Sequence, residues 1–206
     1  MLSALEQAKK GGCTIVSINP LLERGLERFG HPQHPTALLG ASTSISDLYL
    51  QVRINGDVAL LKGMMKVIFE REAAAPGTVL DHQFIDEHTV NFKAFESALE
   101  AQPYEGLEEQ SGLTRSDMEA LADIYIHSKA TIVCWAMGLT QHKNGVANIQ
   151  EVVNLLLLRG NLGKPGAGAC PVRGHSNVQG DRTMGIIERP QEAFLQRLDA
   201  AMGFAS

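Results

Sequence analysis

Apolar residues recur along this chain at two different spacings, and the alternation between them sets out its elements. Residues 3–10 (SALEQAKK) read as the end of a helix stopped by Gly11 and Gly12. The β-branched run from Cys13 to Ile18 reads as a strand, closed by the turn signal Asn19-Pro20. Residues 21–29 carry Leu22, Leu26 and Phe29 at helical spacing, which predicts a short helix despite Gly25. Residues 30–46 read as loop, and residues 47–54 as a second strand with Leu48, Leu50, Val52 and Ile54 on one side. Asn55-Gly56 marks a turn. Asp57 then stands where a helix N-cap belongs, ahead of a strongly apolar helix ended by Pro76-Gly77.

Short helical segments follow at residues 82–88, 91–101, 105–110 and 115–128. The last opens with Thr114 and Asp117 at capping-box spacing and shows Met118, Leu121, Ile124 and Tyr125 on one face. Residues 130–137 (ATIVCWAM) form the most strand-like run in the chain. A glycine-bounded polar loop over 138–145 leads into a helix over 146–159. That helix holds only Glu151 before its final Arg159, so it is expected to be largely buried. Residues 160–185 (GNLGKPGAGACPVRGHSNVQGDRTMG) show neither helical nor strand periodicity. Residues 188–201 close the chain as an amphipathic helix with Phe194, Leu195 and Leu198 inward.

Strand, polar turn and helix recur in that order, which predicts an α/β fold: a parallel, Rossmann-like sheet flanked by helices, one domain over residues 1–206. No GxGxxG is present, so the ordinary dinucleotide fingerprint is missing. Three strands each run into a polar turn, at Asn19, at Asp57 and at Gly138. In a parallel sheet such turns gather at the carboxyl edge, where ligands bind.

Composition narrows the function classes. The chain has 206 residues, 20% charged, with a formal net charge of -5, which argues against a dedicated nucleic-acid binder. Its longest apolar run, residues 152–158, is broken by Asn154 and is short of a membrane span. The first residues lack a signal-peptide core, and Cys13, Cys134 and Cys170 include no CxxC pair. They read as reduced thiols of a cytoplasmic protein, with Cys13 and Cys134 buried in strands and no metal framework among the three.

Candidate chemistry sits in the polar turns. Seven glycines in residues 160–185 are costly to order unless something holds them, so that loop is either functional or a flexible connection. Within it, Arg173 offers a permanent cation for an oxyanion and His175 a proton shuttle. Gly138, Thr140 and Gln141 suit a phosphate cradle at a helix start, although Gly138 could equally serve the turn and Thr140 the cap. Asn19 and Asp57 could hydrogen-bond a purine edge or a ribose, and Asp57 could equally be a plain cap. His31 and His34, beside Pro32 and Pro35, read as a solvated turn in preference to a metal pair.

Three segments carry a family resemblance: INPLLERGLERF, DLYLQVRINGDVALLKGM, and the run from Gly138 to Gly185 with GNLGKPGAG and PVRGHSNVQG. They resemble the molybdopterin oxidoreductases of the dimethyl-sulfoxide-reductase superfamily, in the formate-dehydrogenase-like branch. The resemblance implies a molybdenum or tungsten atom held by two molybdopterin guanine dinucleotides. It implies guanine contacts at Asn19, Pro20 and Asp57, and contacts near the other pterin at Gly138, Thr140 and Gln141. Arg173 matches an arginine that orients a small anionic substrate beside the metal, with His175 next to it. Gly174, Asn177 and Gln179 lie on backbone running past the pterin. The chain departs from formate dehydrogenases at His175-Ser176, where those commonly have Gln-Asn. No residue here matches the family's metal ligand or its iron–sulfur motif. The resemblance therefore makes the chain an internal domain of a longer subunit. Flanking domains of the same polypeptide would be its partners, an iron–sulfur cluster would be possible in the amino-terminal part, and the isolated chain would hold no cofactor and be inactive. It also implies a glycine-rich cofactor loop over 160–190, of which residues 160–185 are expected to be poorly ordered without cofactor. The alternative is a stand-alone guanine-nucleotide-binding or scaffold module without redox activity.

Overall fold

The structure is a computed structural model and describes residues 2–31, 40, 42–172 and 178–203. It divides into a larger unit, residues 1–170, and a smaller one, residues 171–206. The larger unit opens with helix α1 (Leu2–Lys10) and strand β1 (Val16–Ile18). A single helical turn, α2 (Arg24–Glu27), and two short strands, β2 (Arg28–Phe29) and β3 (Thr43–Ser44), lead to β4 (Leu48–Leu50). The long helix α3 (Asp57–Ala74) follows, then α4 (His82–His88), α5 (Phe92–Glu100), α6 (Tyr104–Ser111) and α7 (Arg115–His127). Strand β5 (Ile132–Trp135), the turn of helix α8 (Met137–Thr140), helix α9 (Gly145–Leu157) and strand β6 (Gly168–Pro171) complete the run.

Helix α3 is the centre. Leu60, Met64, Met65, Val67, Ile68 and Phe69 are all buried, so its apolar residues cover more than one face. A helix apolar all round belongs inside, and α3 is enclosed by α5, α6, α7 and α9. Helix α7 approaches most closely through Gly63. A Cβ there would stand 2.2 Å from the Met118 sulfur, so glycine sets the helix spacing. Thr114 and Asp117 form a reciprocal capping box that starts α7, as the sequence predicts.

The α/β class holds, with small parallel pairs flanked by helices. The strands lie in separate two-stranded pieces among the described residues. β1 and β4 are parallel, with Val16 opposite Leu48 and Ile18 opposite Leu50. β2 and β3 are antiparallel, and β5 pairs with β6. Ladders this short are marginal alone; here the helices on their inner faces support them, through Leu50, Val133 and Trp135 against the core.

Several expectations are corrected. The helix over residues 21–29 is only the turn Arg24–Glu27. Tyr49 Oη donates to the Leu21 carbonyl at 2.7 Å and accepts from Glu23 N–H at 3.1 Å, which holds the preceding residues as a turn. Asp57 is the first helical residue and Gly56 takes the cap position, without a side-chain cap. Helix α9 is not largely buried: Asn148, Val152, Leu155 and Leu156 are enclosed, but Val146 is 75% exposed. Low charge predicted burial, yet the face that carries Val146, Ile149 and Val153 lines an open groove. Residues 160–185 are not free of regular structure, since they contain β6 and helix α10 (Val178–Thr183). Cys13 is exposed and precedes β1, and Cys134 lies in β5 but on its outer, exposed face.

The smaller unit contains α10 and helix α11 (Glu192–Met202), ended by Gly203 in the left-handed conformation. Phe194, expected inward, is 42% exposed there. Among the described residues no helix is long and apolar enough to cross a membrane.

Candidate cofactor-contacting site

The first turn is built at the carboxyl end of β1. Asn19 N–H extends the parallel ladder by donating to the Leu50 carbonyl at 3.0 Å. Its side-chain amide donates to the Leu21 carbonyl at 2.6 Å, so Asn19 shapes the turn through its own side chain. Pro20 is exposed beside it.

The second turn is set by helix α6. Arg53 N–H donates to the Ser111 carbonyl at 2.8 Å, and a Cβ at Gly56 would lie 2.8 Å from the Gln110 carbonyl oxygen. The backbone leading into Asp57 is thereby clamped against a helix end, and only glycine fits the approach. The Asp57 carboxyl is pushed above its ordinary range by burial, against the opposing pull of its own backbone N–H and of His142. A partly buried acid with a raised carboxyl at a helix start is a candidate contact. His142 belongs to the third turn, so its charge reaches the turn that follows β4.

The third turn is pinned from beneath by α9. The fully buried Asn148 donates from Nδ2 to the Leu139 carbonyl at 2.7 Å. Gly145 lies so close to Thr140 that a Cβ would meet its carbonyl oxygen at 2.5 Å. Gly138 is different. It has an ordinary φ, and a Cβ there would meet nothing within 4 Å. Gly138, Thr140 and Gln141 are all exposed. Beyond Thr140, an open groove of about 490 Å³ runs along α9, lined by Val146, Ile149, Val153 and Asn154.

The start of the glycine-rich segment is fixed by the protein itself. Asn161 is buried; its Nδ2 donates to Tyr125 Oη at 2.9 Å and its Oδ1 accepts from Thr131 N–H at 3.2 Å. Tyr125 Oη donates on to the Leu155 carbonyl at 2.6 Å. Burial pushes the Tyr125 hydroxyl up to about 12, so it stays a donor. Arg159 hydrogen-bonds the Val79 carbonyl. Val79 in turn is held by Glu72, whose carboxylate accepts from the N–H groups of Gly77, Val79 and Leu80 and bonds His82 Nε2 at 2.8 Å. Burial alone would raise the Glu72 carboxyl, but His82 and the three N–H groups outweigh it and bring it down to about 2.

Arg173, Gly174, His175 and Asn177 lie outside the described residues, and Gln179 falls on α10. The pull of the His142 charge on the Asp57 carboxyl is the link the structure shows between Asp57 and the turn of Gly138, Thr140 and Gln141. The supporting residues Glu72, Asn148 and Asn161 escaped the sequence reading. An asparagine near the start of the mostly apolar stretch over 146–158, which must find partners when buried, was the available signal. Among the described residues no group of three or more His, Cys, Asp or Glu could hold a metal ion.

A family model described as molybdopterin oxidoreductase matches residues 4–200. The chain belongs to the molybdopterin oxidoreductase family. Protein YdeP of Escherichia coli is 48% identical over 209 residues, which cover 99% of this chain and 28% of that protein. Uncharacterized oxidoreductase Rv2900c of Mycobacterium tuberculosis is 45% identical over 206 residues, 100% of this chain and 26% of that protein. Formate dehydrogenase H of E. coli is 34% identical over 143 residues, covering 69% of this chain and 19% of that enzyme. Among solved structures, acetylene hydratase from Pelobacter acetylenicus superposes with a TM-score of 0.63 at 21% identity, covering 80% of this chain and 19% of that one. That likeness bears on the fold alone. The chain spans about a quarter of the length of the first two of these relatives.

Proposed function

We propose that this chain is a cofactor-contacting part of a longer molybdopterin-guanine-dinucleotide-dependent oxidoreductase, of the kind represented by formate dehydrogenase H. The observation that carries the reading is Gly138. Among the described residues neither its φ nor any neighbour within 4 Å requires glycine, which leaves room there for the close approach of a group from outside the chain. The donor set fits a guanine dinucleotide. The Asp57 carboxylate matches the paired N–H donors of a guanine edge, Asn19 stands at the neighbouring strand end, and Thr140 and Gln141 offer uncharged donors beside Gly138. The cofactor, when bound, supplies the metal-centred two-electron chemistry. The chain's residues contribute binding and orientation, and Arg173 with His175 would hold a small anionic substrate and its proton.

The exposed side chains Leu21, Leu22 and Ile54, and the open groove along α9, are surfaces for other segments of that longer polypeptide to cover. By itself the chain is expected to show no oxidoreductase turnover. The test is elemental and nucleotide analysis of the full-length polypeptide. Molybdenum or tungsten together with releasable GMP supports the reading, and a folded, metal-free and guanine-free protein sinks it. Calorimetric titration of the chain with GDP separates the stand-alone alternative, which requires binding without the rest of the polypeptide.

A further inference from the structure

Two of the three cysteines meet across a strand pair. β5 and β6 start side by side, with Gly168 N–H donating to the Thr131 carbonyl at 3.0 Å, and both run on from that bond. With the two strands paired, that bond at their starts makes the pair run parallel and sets Ile132 beside Gly168 and Cys134 beside Cys170. The two-residue alternation of β5 turns Val133 and Trp135 toward the core and Ile132 and Cys134 outward. Both Cys134 and Cys170 are exposed, and Cys13 belongs to a different part of the chain. Crowding around the Cys134 sulfur, and then its interaction with the Cys170 thiol, push it up to about 11, which agrees with two thiols in contact.

We propose that Cys134 and Cys170 are a redox-active thiol pair that closes to a cross-strand disulfide under a mild thiol oxidant such as glutathione disulfide. Neighbouring strands hold opposite Cα atoms within the span a disulfide bridges. Directly opposed residues on parallel strands make a strained bridge, and strained, exposed disulfides are the readily reduced ones. The exchange is balanced. One cysteine thiolate attacks a sulfur of glutathione disulfide and releases a glutathione thiolate. The second cysteine thiolate then attacks the mixed disulfide, forming the Sγ–Sγ bond and releasing the second glutathione. The two cysteine sulfurs are oxidised, glutathione disulfide is reduced, and the two thiol protons pass through solvent to the departing thiolates. Cys170 lies three residues before Arg173, so the closed bridge fixes to β5 the segment from which the candidate substrate arginine departs. This inference does not depend on the proposed cofactor.

The test is equilibration of the 206-residue chain with glutathione buffers, acid quenching, differential alkylation and peptide mass spectrometry. The expected product is a Cys134–Cys170 linked peptide, roughly tenfold more abundant from the folded chain than from the urea-unfolded chain, with Cys13 free or singly glutathionylated. In Cys134→Ser and Cys170→Ser, circular dichroism checks the fold, and the remaining partner is expected to retain glutathione as a mixed disulfide. Independent glutathionylation of both cysteines in the unsubstituted chain would overturn the proposal. So would pairing with Cys13, no oxidation, or equal linkage in urea.

Discussion

Gly63 and Gly138 are the same residue under opposite demands. At Gly63 the fully buried Met118 leaves no room for a side chain, and the closeness of two core helices depends on that. At Gly138 the surroundings are open and the φ is ordinary. The same division extends outward from each glycine. Around Asp57–Ala74 the apolar side chains are enclosed and the buried carboxylate of Glu72 has four partners. At the turn after Ile132–Trp135, Thr140 and Gln141 stand exposed on a backbone that Asn148 and Gly145 hold from below. The helical region shows what the chain needs in order to fold. At Gly138 the described residues impose no such demand.

Substitutions can break this division or sharpen it. The largest effect is expected at Glu72. Glu72→Gln leaves buried N–H groups short of acceptors and is expected to cost about 2–4 kcal/mol by denaturant unfolding. The pH dependence has a definite sign. The folded carboxyl sits at about 2 against an ordinary 4.5, so its stabilisation is complete above pH 4.5 and is lost as pH falls toward 2. Thermal melting of the unsubstituted chain should fall through that window more steeply than that of Glu72→Gln. Parallel curves would remove Glu72 from the account.

Next in size is Gly63→Ala, which pushes the Met118 side chain out of place and is expected to cost about 1–3 kcal/mol in the same measurement. A neutral result would mean that Met118 re-packs freely and that the close helix approach is not a constraint.

Much of the helical region is legible from the pattern alone, because apolar spacing and caps act locally. Residues 82–88 form a helix as expected, and Thr114 with Asp117 builds the capping box. The failures are non-local. Tyr49, 26 residues from Glu23, holds the turn that cuts short the helix expected over 21–29. Cys134 fits a buried strand by composition, yet the register of β5 turns it outward. Of the site, Asp57 and Gly138 could be named in advance as polar turns after strands. That Asn148 holds the turn of Gly138 from below depends on how that turn folds back onto α9.

Asp57→Asn is expected to act in the opposite direction to Glu72→Gln. The Asp57 carboxyl is raised, so the folded state holds its proton more tightly. Stability therefore rises as pH falls through the raised value toward 3.8, and the buried charge is a cost at neutral pH. Removing that charge is expected to stabilise the chain at neutral pH by roughly 0.5–1 kcal/mol. In the full-length polypeptide the same change is expected to weaken guanine retention by about 10- to 100-fold, the worth of a charged hydrogen bond. Loss of stability at neutral pH, or unchanged guanine retention, would make Asp57 a helix-start residue and no more.

The smallest expected effect on stability, and the most direct test of the central claim, belongs to Gly138→Ala. The chain carrying it is expected to melt at the same temperature as the unsubstituted chain or slightly above it, since alanine suits a helical turn better by about 0.5–1 kcal/mol. The measurement is the molybdenum and GMP content of the full-length polypeptide bearing the same substitution, purified in parallel with the unsubstituted protein. A clear deficit in both, with melting preserved, is the predicted result. Full cofactor content in Gly138→Ala would contradict the claim that this glycine is kept open for a group from outside the chain.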